Sequence, residues 1–362
     1  MQLCSLSTIL RKHRRSGVFL AVAAAMLFGS STPLAKILLG KVEPMLLAGL
    51  LYLGSGLGLG IWRVFWGRPQ NGVNKEASLK AADLPWLAGA ILAGGVAAPV
   101  LLMVGLKATS ASSASLLLNL EGVFTAGLAW FAFKENFDRC LMLGMVAITS
   151  GCAVLSWSGE EPFFISWGSL AIICACFSWG IDNNLTRKVS EGDPVQIAAA
   201  KGLIAGVVNT GVALASSAAL PSPFTLFASA FVGLLGYGIS LVLFVLSLRH
   251  LGTARTGAYF SLAPFVGALI AVLALGEPVT LNFLAGAIFM GFGVWMHLTE
   301  CHEHEHRHDT FEHEHSHVHD AHHRHHHEDL SPDDSAHSHL HAHCEVLHRH
   351  PHYPDIHHRH GH

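Results

Sequence analysis

Residues 110–133 read SASSASLLLNLEGVFTAGLAWFAF and decide the fold class. The stretch is apolar over about 24 residues, which is close to the length that a helix needs to cross a bilayer core of roughly 30 Å. Glu121 lies halfway along it, so the pattern predicts a carboxylate near the bilayer midplane. A charge at that depth costs about 2.5–3.5 kcal/mol and is normally placed toward a partner or a water-filled cavity inside the protein. Glu121 is therefore the first candidate for a functional residue.

A second stretch, which begins at Gly257, is similar to the first. The alignment is fixed by setting Glu135 against Glu277, and it pairs Leu120 with Leu262, Glu121 with Ala263, Gly122 with Pro264, Gly144 with Gly286 and Gly151 with Gly293. Self-similarity over a long period in a hydrophobic chain is typical of transporters that are built from two structural repeats. The chain is therefore predicted to contain such a pair.

The composition separates a membrane part from a tail. The chain is 51% hydrophobic and only 13% charged, whereas soluble domains are about 25% charged. Residues 1–300 carry 18 Lys and Arg against 13 Asp and Glu, while residues 301–362 carry 4 against 12 and hold 24 of the 27 histidines. The seven cysteines show neither a C-x-x-C motif nor the spacing of a disulfide framework. The predicted fold is an all-α membrane protein with a disordered C-terminal tail.

The apolar runs predict ten transmembrane helices, arranged as one five-helix repeat over residues 17–157 and a second over residues 166–298. The predicted spans are Gly17–Leu39, Pro44–Val64, Pro85–Leu106, Ser110–Phe133, Cys140–Trp157, Trp167–Leu185, Pro194–Leu214, Phe224–Leu248, Ala254–Leu275 and Val279–Leu298. With a cytoplasmic N-terminus, the inner loops hold fourteen Lys and Arg and the outer loops hold only Lys41 and Lys107. This bias predicts that both termini are cytoplasmic. Since each repeat has an odd number of spans, the two repeats are expected to be inverted relative to each other.

The same residues resemble the EamA-type branch of the drug/metabolite transporter superfamily. The resemblance covers about residues 17–298 and rests on Phe28-Gly29 and Trp179-Gly180 in the first helix of each repeat, on Glu135 and Glu277 after each fourth helix, and on the paired glycines of each fifth helix. It implies a multi-pass inner-membrane carrier, often an exporter of amino acids, metabolites or drugs, with a central cavity between the repeats. The two glutamates are predicted to cap the helices that follow them.

Polar groups inside the spans mark the candidate site. Glu121 is predicted to bind a proton or a cationic group of the substrate, or to pair with Lys201 and lock two helices. Polar or proline-broken backbone at matching positions of two repeats points to a binding site. On that ground Ser31 and Thr32, beside Pro33, and Asp182 and Asn183, beside Asn184, are predicted to interrupt the first and sixth spans. The alternative for Asp182 is an ion pair with Arg187 or Lys188. Pro99 and Pro264 are predicted to kink their helices.

The tail from Cys301 onward is predicted to be disordered and to bind metal, because it has too few apolar residues to form a core. Alternating histidines in an extended chain supply many imidazoles, which suit Ni, Co, Zn and Cu ions. The predicted ligands are His302, His304, His306, His308, His313, His315, His317, His319, His325, His326, His327, His337, His339, His341 and His343.

Together these features predict an integral inner-membrane transporter that exports a small solute or metabolite by alternating access, and not an enzyme. Its predicted partners are the small-molecule substrate, the lipid bilayer and transition-metal ions on the tail, with no required cofactor and no nucleic acid; a homodimer is one possible assembly. The first alternative is a carrier of Ni, Co or Zn ions. Only the tail suggests it, because His297, at a rim, is the one histidine within the predicted spans. The second is a metal-responsive membrane sensor that does not transport.

Overall fold

The fold is a bundle of helices, seen in a computed structural model. It describes residues 2–66, 80–133, 139–156, 166–189, 192–251, 256, 259–299, 302–308, 312–317, 337–342 and 346–352. The α-helices are α1 (Gln2–Leu38), α2 (Pro44–Trp66), α3 (Leu84–Ala90), α4 (Ala98–Ala108), α5 (Ala111–Leu117), α6 (Leu120–Phe133), α7 (Arg139–Ser156), α8 (Trp167–Thr186), α9 (Pro194–Ala215), α10 (Pro223–Gly233), α11 (Ser240–Leu251), α12 (Ala263–Leu275) and α13 (Leu281–Thr299). Two π-helices join neighbouring α-helices, namely π1 (Ile91–Ala97) and π2 (Leu234–Ile239). Short 3₁₀ helices occur at Ala81–Asp83 and Arg187–Val189.

Six helical stretches of the described chain are long and apolar enough to cross a membrane. They support the prediction of a multi-pass membrane protein. They are Gly17–Leu38, Pro44–Phe65, Ala81–Ala108, Ala111–Phe131, Pro194–Ala215 and Pro223–Ser247. Three shorter apolar helices span Met142–Ser156, Ala263–Leu275 and Leu281–Met296. The arrangement of ten spans in two inverted repeats stays a prediction at this point.

The tail contains four short strands in the part that the structure describes. Strand β1 (His302–His308) pairs antiparallel with β4 (Val346–His352), and β2 (Glu312–His317) pairs antiparallel with β3 (His337–Ala342). The prediction of a disordered tail stays a prediction. Alternating sequences such as HEHEHRH favour an extended backbone, and extended backbone can pair without the apolar core that the tail lacks. Of the predicted ligands, His319, His325, His326, His327 and His343 lie outside the described residues.

Glycines set the contact between α7 and α13, which are the fifth helices of the two predicted repeats. A Cβ added to Gly293 would lie 2.6 Å from the carbonyl oxygen of Gly144, and one added to Gly151 would lie 2.8 Å from that of Gly286. The earlier glycine of each helix therefore meets the later glycine of the other. Backbones can approach this closely only where a side chain is absent, which is how small residues pack helices in membranes.

Helices α2 and α9 pack in the same reversed order, with Gly49 against Thr210 and Gly56 against Leu203. The first helix of each half packs on helices of the other half. Helix α1 packs on α11 and α12, while α8 packs on α4 and α6. This reciprocal pattern is what two similar halves produce when they face each other about a pseudo-two-fold axis.

The irregular backbone lies elsewhere than predicted. Helix α1 runs unbroken through Pro33, and α8 runs unbroken through Asp182 and Asn183. Polar side chains in these stretches bond within their own helices, as Ser31 Oγ does to the carbonyl of Phe28 (2.6 Å) and Asn184 Nδ2 does to that of Gly180 (2.8 Å), so they are satisfied without an interruption of the helix. The regular helix is interrupted instead in the third and fourth segments of both halves. The interruptions are π1 and π2, the turn at Leu118–Asn119 between α5 and α6, and the turn at Ser261–Leu262 before α12.

The two predicted proline kinks fall at these interruptions. Pro99 lies in the first turn of α4, directly after π1. Pro264 lies in the first turn of α12, where the missing N–H has no helical partner to lose. Pro264 therefore begins a helix and does not kink one.

Two charged residues at the outer ends of the predicted spans bond to backbone groups at the ends of other helices. Lys36 Nζ donates to the carbonyls of Leu106 (2.5 Å), Thr109 (2.6 Å) and Lys107 (3.3 Å) at the C-terminus of α4. The Glu277 carboxylate accepts from the backbone N–H groups of Ala111 and Ser112, both at 2.7 Å, at the N-terminus of α5. Each charge complements a helix end. The prediction that Glu277 caps the following helix is thus wrong, because it caps α5 in the other half. Glu135 lies outside the described residues.

The close contact of α2 with α10 gives a test of the packing. A Cβ on Gly54 would overlap the backbone of Ala230, whereas no described atom lies within 4 Å of a Cβ on Gly60 of the same helix. We expect Gly54→Ala to lower the free energy of unfolding by about 1–3 kcal/mol through overpacking, and Gly60→Ala to leave it unchanged or higher. Thermal unfolding of the detergent-solubilised variants measures this difference. Equal melting temperatures for the two variants would contradict the observed contact.

Candidate functional site

The candidate site begins at Glu121, in the first turn of α6 just after the Leu118–Asn119 turn. Its Oε1 accepts a hydrogen bond from Asn183 Nδ2 of α8 (2.9 Å). The same amide lies 3.1 Å from Thr125 Oγ1, and that hydroxyl donates to the backbone carbonyl of Glu121 (2.8 Å). The predicted residues Glu121 and Asn183 therefore meet across two helices, and Thr125 completes the group.

Lys201 of α9 does not pair with Glu121. Its Nζ lies 2.6 and 2.8 Å from the two carboxylate oxygens of Asp182 and 3.1 Å from Thr186 Oγ1. Thr186 in turn donates to Asp182 Oδ1 (2.8 Å). The alternative that paired Lys201 with Glu121 is wrong, because Lys201 bonds to Asp182. The alternative that pairs Asp182 with Arg187 or Lys188 stays a prediction. The two carboxylates thus have different partners: Asp182 bonds an ammonium group, and Glu121 bonds an amide.

The two pairs also differ in burial. Asp182 and Lys201 are 5% and 9% exposed, so their charges are removed from solvent together. Glu121 is partly exposed and Asn183 is exposed. Glu121 remains within electrostatic range of both Asp182 and Lys201. The Glu121–Asn183 pair is therefore the more accessible of the two, and the Asp182–Lys201 pair is buried.

Behind these charges, two buried side chains converge on one backbone carbonyl of π1. Tyr52 Oη donates to the carbonyl oxygen of Gly94 (2.9 Å), and Trp179 Nε1 donates to the same oxygen (3.0 Å). Asp182 packs directly on Gly94, because a Cβ at that position would overlap the carboxylate. The ion pair, the two aromatic donors and the π-helix therefore form one contiguous structure.

Aromatic rings form one wall of the site. Tyr237 of π2 has its ring centroid 5.4 Å from that of Tyr52 and 5.8 Å from that of Phe28. Phe28 lies 5.4 Å from Phe260, and Phe260 lies 4.8 Å from Phe244. These spacings are those of favourable aromatic pairs. The polar group on α6 and α8 thus continues through Tyr52 into an aromatic cluster on α1 and π2, here termed the aromatic wall.

Ser31 and Thr32 lie on the buried side of α1, each 2% exposed. Ser31 packs against Gly236 of π2, where an added Cβ would lie 2.6 Å from its own Cβ. Its hydroxyl is bonded within α1. Both residues lie on the aromatic side and are not joined to Glu121 by any bond in the described part of the chain. Their role in substrate binding stays a prediction.

The site residues predicted from the sequence did not include Tyr52, Trp179, Thr125 or Thr186. The two threonines had a detectable signal, since each lies four residues after a carboxylate, one helical turn along the same face. The donors to Gly94 had none, because a π-turn is not visible in the residue pattern.

The residues described in the structure hold no group of three or more His, Cys, Asp or Glu that could bind a metal ion. In the tail, the backbone register places His304 opposite His350 and His315 opposite His339. Metal binding by the tail stays a prediction.

Known proteins are similar to this chain in sequence and in fold. The chain matches the EamA-like transporter family over residues 15–157 and again over residues 166–299. An "Uncharacterized transporter" of Methanothermobacter thermautotrophicus is 28% identical over 296 residues, covering 78% of this chain and 86% of the relative. A "Probable amino-acid metabolite efflux pump" of Salmonella typhimurium is 26% identical over 303 residues, covering 79% and 95%. A solved crystal structure superposes with a TM-score of 0.60 at 16% identity, over 78% of this chain and 98% of the other.

The chain thus contains two copies of the same membrane domain, and polar side chains of α6 in the first copy and α8 in the second bond to each other. The chain belongs to the EamA-like transporter family. It is a membrane transporter of small solutes, and the duplication agrees with the two repeats predicted from the sequence.

Proposed function

We propose that this chain exports a small solute that carries a cationic amino group, by alternating access across the inner membrane, and that Glu121 binds that group. The observation that carries the proposal is the pairing of Glu121 with the neutral amide of Asn183 at a position that solvent reaches. The Asn183 amide carries no charge and so does not neutralise a carboxylate at Glu121, whereas Asp182 already bonds the ammonium group of Lys201. The aromatic wall suits an ammonium ion as well, because ring faces attract cations.

The direction and the topology are part of the same proposal. Ten spans in two inverted repeats with cytoplasmic termini follow from the loop charges and from the reversed packing of α7 on α13 and α2 on α9. Export of an amino-acid-like solute is supported by the printed name of the Salmonella relative. Alternating access requires two arrangements of the halves, for which the interrupted third and fourth segments supply flexible points.

The proposal is tested with the purified full chain in liposomes. A panel of radiolabelled amino acids and primary amines, with Ni²⁺ and Zn²⁺ as competing candidates, is loaded inside or outside the vesicles. Saturable movement of at least one amine-bearing solute and no movement of the metal ions supports the proposal. Movement of metal ions alone would favour the metal-carrier alternative. Movement of neither class would contradict both.

We also propose that the tail binds transition-metal ions on the cytoplasmic side without being needed for membrane insertion or for the transport cycle. A chain that ends at Glu300 should insert normally and lose most of the metal that equilibrium dialysis detects on the full chain. Since only the neutral imidazole coordinates, the affinity of the full chain should fall as the pH drops through about 6.5. Unchanged metal stoichiometry after truncation would place the ligands in the membrane part.

A further inference from the structure

The backbone around π1 lacks a donor that a helix would normally supply. The N–H of Ala98 bonds to the carbonyl of Ala93, in the five-residue spacing of a π-turn. The next residue is Pro99, which has no N–H. A π-turn would bond that missing N–H to Gly94, and an α-turn would bond it to Gly95. One of these two carbonyls is therefore without a helical donor in either register.

Side chains from three other helices supply the missing donors. Tyr52 of α2 and Trp179 of α8 donate to the Gly94 carbonyl, and Asn209 of α9 donates to the Gly95 carbonyl (3.1 Å). All three are buried, with exposures of 8%, 6% and 2%. An unsatisfied buried carbonyl is destabilising, because it loses its hydrogen bonds to water without gaining a partner. The three donors therefore stabilise the bent arrangement in which they reach π1.

The matching π-helix of the other half is built differently. In π2 the N–H of Ser240 bonds to the carbonyl of Leu235, which is the same π spacing. The residue that corresponds to Pro99 is Leu241, which has an N–H. Around π2, Tyr237 contacts the rings of Phe28 and Tyr52, and Gly236 packs against Ser31. The proline and the convergent side-chain donors thus distinguish π1 from π2.

We propose that π1 is a hinge of the transport cycle, and that Tyr52, Trp179 and Asn209 are positioning residues that hold it in the present arrangement by replacing the N–H that Pro99 lacks. The proposal rests on the alternating-access function proposed above. Because the Asp182–Lys201 pair packs on Gly94, a tilt of α3 against α4 moves the floor of the Glu121 site. The hinge therefore links the shape of the site to the two ends of the Ala81–Ala108 segment.

The hinge is tested by spin labels at its two ends, introduced as Ala82→Cys and Lys107→Cys after removal of the seven native cysteines. Both positions are exposed, and a straight helix would separate their backbones by about 37 Å. Pulsed electron resonance on the full chain in liposomes should show two distance populations. Pro99→Ala restores the N–H, and it should cause the loss of the shorter population. Pro264→Ala is the matched control and should leave the distances unchanged, because that proline lies at a helix start.

A double-mutant cycle separates the hinge from general damage. Tyr52→Phe keeps the ring and removes one donor, so it should broaden the distances in the parent protein and have no such effect when Pro99 is replaced by Ala. An equal broadening in both backgrounds would overturn the proposal, as would a Pro99→Ala protein with the parent's two populations. The distances are recorded without any solute, so a failure of the hinge is distinguishable from a failure of the export function.

Discussion

Replacing Lys201 alone with Met is expected to be the most damaging single change in the site. It would leave Asp182, 5% exposed, without the ammonium group that lies 2.6 Å away. Removing one partner of a buried ion pair costs about 3–5 kcal/mol, because the remaining charge is uncompensated. We expect a large fall in the melting temperature of the detergent-solubilised protein and a strong loss of folded protein in the membrane.

The double variant Asp182→Asn with Lys201→Met should regain most of the lost stability, since replacing both members of a buried pair is often close to neutral. Lys107→Met serves as the matched control, because the Lys107 side chain is exposed and its removal should change stability by less than about 0.5 kcal/mol. If the single Lys201→Met protein were as stable as the double variant, the ion pair would have no role in holding α8 to α9.

Glu121→Gln is expected to have the largest effect on transport with little effect on folding. Gln keeps the shape of Glu121 and can still bond the Asn183 amide, but it carries no charge for an amino group. Hydrogen bonds to charged groups contribute about 1.5–3 kcal/mol, which corresponds to about tenfold or more in the transport rate. Initial rates in liposomes, with the solute that the parent protein exports best in the amine panel, measure this loss.

The control for that measurement is Gly122→Ala, on the same turn of α6, where no described atom lies within 4 Å of an added Cβ. It should transport at nearly the parent rate. A Glu121→Gln protein with normal transport and a normal melting temperature would remove Glu121 from the mechanism. A simultaneous loss of both properties would instead assign it a structural role.

Much of the helix packing was predictable, because close contacts between helices require small residues at regular spacings in the sequence. The paired glycines at 144 and 151 and at 286 and 293 predicted equivalent helices, and in the structure they meet each other. The sequence could not show that α1 packs on α11 and α12 of the other half, because Phe28-Gly29 marks a close approach without identifying the partner. The same limit applies to Glu277, whose turn context suggested the next helix in the chain and not α5.

The residues of the site could be predicted from the sequence, but the hydrogen-bonded pairs that they form could not. Glu121, Asp182, Asn183 and Lys201 are visible as costly polar groups in apolar runs. One lysine and two carboxylates allow two pairings, and only the fold, in which α8 and α9 both pack on π1, decides for Asp182. The π-turns were not predictable, because they depend on the register of backbone hydrogen bonds. Pro99 indicated an irregularity, but the donors that reach it come from positions as distant in sequence as Tyr52 and Asn209.

The access of solvent to Glu121 from the two sides of the membrane can be measured with a cysteine at the neighbouring position. In a cysteine-free background, Gly122→Cys is placed in vesicles of both orientations and treated with a charged thiol reagent that does not cross the bilayer. Ala219→Cys, exposed in the short connection between α9 and α10, is the control and should react from one side only. We predict that Gly122→Cys reacts from both sides. Reaction from one side only, or from neither, would contradict a central site that opens alternately to each side.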